Sequence, residues 1–83
     1  MSQMKMEANF SMLAMSVASS AAMAMGLTPH PETQEVKKDK DMARFNIDLL
    51  LMLQDKTKNN LSEDEKRFLD TVITDLQMKF LQV

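Results

Sequence analysis

The sequence predicts an all-α protein of three antiparallel helices, at residues 9–25, 40–57 and 62–81. Three observations favour this class. Apolar residues in the second and third segments recur with helical spacing, and no stretch alternates with the period of two that a strand requires. Residues that start or stop helices lie at the ends of the segments, and between them the chain has one glycine and two prolines. At 83 residues the chain is expected to form a single small helical domain over residues 1–83.

The first helix lies in an uncharged run of mostly Ala, Ser and Met from Ala8 to Pro31. Asn9 is the expected N-cap, and Gly26 is the expected left-handed residue just after the C-terminus. Small residues recur every fourth position on one side of this helix, which would allow another helix to approach closely. Methionines recur on a different side. The two sets are Ala14, Ala18 and Ala22, and Met12, Met15 and Met23.

Residues 27–37 are predicted to form a loop, because Pro29 and Pro31 fix the backbone and push the preceding residues to extended geometry. The second helix is expected to end near Asn59, a residue type that tolerates the left-handed conformation. Its polar wedge is narrow. The apolar residues that cover most of its circumference are Met42, Phe45, Ile47, Leu49, Leu50, Met52 and Leu53.

The third helix has the clearest start signal in the chain, because Ser62 and Glu65 have the spacing of a capping box. Two pairs of opposite charge, Glu63–Arg67 and Asp75–Lys79, have the favourable i,i+4 order. This helix is conventionally amphipathic, with one apolar face formed by Phe68, Leu69, Val72, Ile73, Leu76, Phe80 and Val83. It therefore needs only one neighbour to cover it.

The apolar faces of the first two helices predict self-association. Three helices in one chain bury about one face each, whereas these two have apolar residues on more than one side, and monomers rarely expose large apolar patches. A two-fold dimer would cover them, so an intermolecular helical bundle is expected, with the dimer as the favoured state and the chain itself as the partner. The predicted interface residues are Phe10, Met12, Ala14, Met15, Ala18, Ala22, Met23, Phe45, Leu49 and Met52.

The sequence offers no pattern for catalysis or cofactor binding. There is no cysteine and only one histidine, His30, which we interpret as a solvated loop residue because no partner completes a metal site. The acids Glu63, Asp64 and Glu65 are interpreted as complements of a helix N-terminus. With no tryptophan or tyrosine and a net charge of −2, nucleic-acid binding is not expected. We therefore predict a non-enzyme with no catalytic, cofactor or metal site.

Two alternatives to a self-associating interaction or scaffold module use the same Met/Ala/Ser-rich first helix. It could lie on a membrane surface, although serines oppose insertion as a span. It could also line a cavity for an apolar ligand, since methionine adapts to varied partners. A second protein partner is left open.

The chain resembles a bacterial family known as domain of unknown function 1844. The resemblance is most specific in the central stretches Ile47-Asp48-Leu49-Leu50, Met52-Leu53, Lys56-Thr57-Lys58, and Asn60-Leu61-Ser62 with Glu65. It extends to Phe10-Ser11, Ala18-Ser19-Ser20-Ala21, Gly26-Leu27, Pro29-x-Pro31-Glu32-Thr33 and Asp75-Leu76. Two positions depart from it, since Asn59 and Gln34 stand where the family is expected to have glycine. The resemblance implies a bacterial, cytoplasmic, all-helical protein and no particular activity.

Overall fold

The structure is a computed structural model that describes residues 8–29, 33–34 and 36–83. Over these residues it contains three helices and no strand. The helices are α1 (Phe10–Ala24), α2 (Lys40–Lys56) and α3 (Glu63–Phe80). The predicted all-α class is confirmed, and the predicted ranges exceed the helices by at most one residue at each end. The antiparallel arrangement and the intermolecular bundle stay predictions.

Both ends of α1 are held by local hydrogen bonds. Asn9 is the N-cap, and its Oδ1 accepts a hydrogen bond from the backbone N–H of Met12 at 2.9 Å. At the other end Gly26 has a φ of 78°, which is the left-handed region. The N–H groups of Gly26 and Leu27 donate to the carbonyls of Met23 and Ala22, each at 3.0 Å. These two bonds form a Schellman motif that closes the helix.

The connection between α1 and α2 returns to the end of α1. The Asp39 N–H donates to the carbonyl of Ala24 at 2.7 Å, and Met25 and Lys38 form an isolated antiparallel bridge. The approach is close, because a Cβ added at Gly26 would lie 3.0 Å from Cγ of Lys38. The end of α1 and the start of α2 are therefore fixed together.

A short turn joins α2 to α3. Asn59 lies in it with a φ of 65°, as the left-handed tolerance of asparagine allows. Ser62 and Glu65 then form a reciprocal capping box. The Glu65 N–H donates to Ser62 Oγ at 3.2 Å, and the Ser62 N–H donates to Glu65 Oε1 at 2.9 Å. The turn and the start of α3 are thus specified by the local sequence.

The core is made of small residues from α1 and larger ones from α2 and α3. Its buried members are Ala14, Ala18, Ala21, Ala24, Met25, Ala43, Ile47, Leu50, Leu69, Ile73 and Leu76. Alanines let the α1 backbone approach its neighbours closely, and the molecule is 16 Å deep in its shortest dimension. This is about the depth of two packed helices. No side chain in so thin a molecule is far from a surface.

The ion pairs among the described residues all lie on α3. Lys79 binds Asp75 at 2.9 Å, as the sequence predicted. Arg67 is 3.8 Å from Asp64, so the predicted pairing with Glu63 is wrong. Asp64 lies three residues before Arg67 and Glu63 four, and both spacings bring side chains together on a helix. Lys66 and Asp70 form a third pair at 3.5 Å.

Candidate self-association surface

The exposed side of α1 carries no charged residue. With about 100° between successive residues, Met12, Met15, Ser16 and Ser19 share one side of the helix, opposite the buried alanines. All four are exposed, and α1 contains no Asp, Glu, Lys or Arg anywhere in its length. We call these four residues the α1 outer face. Solvent-facing sides of helices ordinarily carry charges, so this face is unusual for one in contact with water.

A second apolar stripe runs along α2. Met42, Phe45, Leu49 and Met52 have alternating spacings of three and four residues, which is the a/d pattern of a helix seam. Leu49 is half-buried and the other three are exposed. We call these four residues the α2 seam. The core of the chain uses a different side of α2, formed by Ala43, Asn46, Ile47 and Leu50.

The two surfaces meet where α1 ends and α2 begins. A groove of about 370 Å³ lies between them, lined by Met23 and Ser20 of α1, by Met42 of α2 and by residues of the connection. Met42 belongs to the α2 seam, and Met23 lies on the same side of α1 as the α1 outer face, four residues after Ser19. The two surfaces therefore adjoin at this groove, whose lining also includes Lys37 and Asp39 of the connection.

The size of this surface is that of a protein interface. Met12, Met15, Met42, Phe45 and Met52 are between 41% and 56% exposed. At roughly 200 Å² for a large side chain, they leave roughly 500 Å² of apolar surface on one copy. A standard interface covers about 800 Å² on each partner, of which a little over half is apolar. The exposed surface thus supplies about the apolar share that a standard interface needs.

One flank of the α2 seam is lined by acids. Asp41, Asp48 and Asp55 follow one another at intervals of seven residues, so they form a row beside the seam. All three are exposed, and none of their side chains has an ion pair or hydrogen bond with another residue that the structure describes. Arg44 lies behind this row, on the side away from the seam. The seam therefore has a negative border on the side away from the core.

The structure divides the predicted interface residues into three groups. Met12, Met15, Phe45 and Met52 are exposed, and Phe10, Ala22, Met23 and Leu49 are half-buried. Ala14 and Ala18 are buried in the core of the single chain, so we correct their assignment from the interface to the core. The reason is steric, because the smallest side chains of α1 permit the closest packing against α2 and α3. Met42, which the sequence analysis did not include, is also exposed on the α2 seam, and its spacing could have revealed it.

No catalytic constellation appears among the described residues. Within that part of the chain no three His, Cys, Asp or Glu side chains are grouped to hold a metal ion. Glu63 and Asp64 are exposed in the first turn of α3, and Glu65 is used in the capping box. His30, which the sequence analysis interpreted as a solvated loop residue, lies outside the described residues. None of the three helices, over the residues described, has the length and hydropathy to cross a membrane.

A larger cleft of about 660 Å³ lies at the α2–α3 turn. Its lining mixes acids with the lysines Lys58 and Lys66, and it exposes about as much polar as apolar surface. One side is closed by a hydrogen bond from Gln54 Nε2 to Asp70 Oδ1 at 2.7 Å. Neither the charge nor the shape of this cleft selects a class of ligand. The apolar surface of α1 and α2 is therefore the stronger candidate for the functional site.

The comparisons with known proteins agree with the resemblance found in the sequence. A family model described as Domain of unknown function (DUF1844) matches residues 7–82. No curated protein and no solved structure matches the chain. The matched range includes the whole of α1, α2 and α3.

Proposed function

This chain belongs to the DUF1844 family, and we propose that it functions as a small homo-oligomeric interaction module, with a two-fold dimer as the working unit. A second copy would cover the α1 outer face and the α2 seam together. The module has no catalytic activity of its own in this proposal. Its bacterial, cytoplasmic setting is also part of the proposal and is supported by the family resemblance.

The observation that carries the proposal is the uncharged exposed side of α1. Water-facing positions of a stable monomer are ordinarily charged or polar, and this chain places charges in that way on α3. On α1 the exposed positions are instead methionines, serines and Leu13. Burial of the exposed apolar surface against a second copy would remove it from water at about 25 cal/mol per Å².

The test is the molar mass in solution, measured by light scattering during size exclusion over a dilution series without detergent. We expect a mass of twice 9.5 kDa that persists on dilution. Met15→Lys and Phe45→Lys should each shift the protein to the monomer mass, because a charge would be buried unpaired in the interface.

The matched control is Met78→Lys, because Met78 is also an exposed methionine, at 63%, but lies on α3. This variant should remain a dimer. A monomer mass for the unmodified chain at every concentration would reject the proposal. In that case binding to liposomes and to apolar ligands becomes the next measurement, since the same surface would then be free for them.

A further inference from the structure

We infer that, in the proposed dimer, the α1 outer face of each copy lies on the α2 seam of the other, so that unlike helices pair across the two-fold axis. This inference rests on the proposed function and goes beyond it by naming the occupant of each surface. Three observations carry it: the acidic row, the sizes of the facing side chains and the adjacency of the two surfaces.

The acidic row opposes pairing of the α2 seam with itself. Two antiparallel copies related by a two-fold axis bring the same flank of each helix together. Asp41, Asp48 and Asp55 of one copy would then lie beside the same three residues of its partner, and facing like charges are unfavourable. A parallel pairing would need the opposite flank, where Asn46 is buried and Leu53 is half-buried inside the single chain. Neither like-with-like arrangement of α2 suits these residues.

The α1 outer face suits the α2 seam both in charge and in the size of its side chains. It carries no charge, so it can lie beside the acidic row without repulsion. It also has short side chains at Ser16 and Ser19 between its methionines, whereas Phe45 is the largest and most exposed residue of the seam. A large side chain facing a recess between smaller ones is the arrangement by which packed helices interlock.

The adjacency of the two surfaces makes this pairing reciprocal. Because Met23 and Met42 line one groove between α1 and α2, the end of the α1 outer face adjoins the start of the α2 seam. A single two-fold axis can then place α1 of each copy on α2 of the other. The acidic rows remain at the two outer edges, in contact with water.

The experiment is cysteine cross-linking. Only the introduced thiols can form a disulfide, because the chain contains no cysteine. Ser16→Cys and Phe45→Cys proteins are oxidised separately and as a mixture, with Met52→Cys replacing Phe45→Cys in a repeat. We expect the mixed cross-link to form roughly tenfold or more faster than either like-with-like cross-link, because unlike helices hold the thiols at high effective concentration. A dominant link between two copies of Phe45→Cys or Met52→Cys would overturn the inference.

A second measurement uses the unmodified chain and its Asp48→Asn variant. Like-with-like pairing of α2 predicts a dimer that tightens when salt screens the aspartates or when Asp48 is neutralised. Pairing of unlike helices predicts a dissociation constant that neither change lowers. A tightening in both cases would count against the inference while leaving a dimer, and a monomer in all conditions would reject the proposed function as well.

Discussion

α1 and α3 are helices of similar length, with 15 and 18 residues, yet they meet water in opposite ways. α3 buries Leu69, Ile73 and Leu76 and exposes ion-paired charges. α1 buries alanines and exposes methionines, serines and Leu13. The larger apolar side chains thus point inward on one helix and outward on the other. The core of the single chain therefore does not account for all of the apolar residues, and α1 leaves a second apolar side exposed.

The comparison predicts that α3 supplies more of the core's stability per residue than α1. Leu69 is fully buried, so Leu69→Ala should lower the free energy of unfolding by about 2–5 kcal/mol through lost burial and a cavity. Chemical denaturation at one fixed protein concentration measures it. A loss well below this range would mean that the space around Leu69 collapses, and would weaken the contrast between the two helices.

The next effect is overpacking on α1. Ala21 is fully buried where α1 packs closely, so Ala21→Leu should destabilise the chain by about 1–3 kcal/mol, because added methylenes force neighbouring groups apart. The control is Thr74→Leu, which adds similar bulk at an exposed position of α3, outside the proposed dimer surface. Equal denaturation midpoints for the two variants would contradict the orientation of α1 described above.

Glycine substitutions in the segment after α1 and in the turn before α3 are expected to stabilise the chain, by less than the two preceding substitutions destabilise it. Gln34 and Asn59 have φ values of 61° and 65°, a region that costs most residues about 1–2 kcal/mol but asparagine less. Gln34→Gly, in the connection after α1, should therefore raise the thermal midpoint more than Asn59→Gly, in the turn before α3. Thr28→Gly is the control in the first segment, because Thr28 is exposed and does not have a positive φ. If Asn59→Gly proves the more stabilising, the conformational explanation is wrong.

The smallest effect concerns the charges that distinguish α3. Lys79 and Asp75 are about half exposed, so Lys79→Met should change the free energy of unfolding by less than about 0.5 kcal/mol. The change should shrink further in high salt. Thermal melts at two salt concentrations measure it. A large loss would show that the ion pairs hold α3 in place and do more than keep its outer side soluble.

The helix boundaries could be predicted because the signals that set them are local. Asn9 caps α1 within four residues of chain, and Ser62 with Glu65 caps α3 in the same way. A reader of the sequence needs no knowledge of the tertiary structure to see them. Two positive φ angles also fall where the family resemblance leads one to expect glycine, at Gln34 and Asn59. Only Asn59 was predictable from its side chain, because glutamine has no such preference.

The inward side of α1 could not be predicted, because both of its candidate sides are uncharged. Hydrophobicity alone would favour the methionines as the core, and spacing alone would favour the alanines as the contact with a second copy. The structure uses Ala14 and Ala18 for contacts within the chain. The side of α1 that faces inward is decided by how closely the helices approach, and that distance depends on α2 and α3 together. Three of the four residues of the α2 seam, Phe45, Leu49 and Met52, were among the predicted interface residues, and Met42 was not.

The methionines of the exposed surface also have a redox chemistry. With no cysteine in the chain, a peroxide would meet the thioether sulfur as the most readily oxidised side-chain atom, and oxygen transfer would turn an apolar group into a polar sulfoxide. In a dissociated copy Met12, Met15 and Met52 lie open to that reaction, whereas a partner lying on them would shield them. Met78 on α3 is open in either state. Under the proposed dimer, the pattern of sulfoxides along the chain would therefore record how long each molecule had been dissociated.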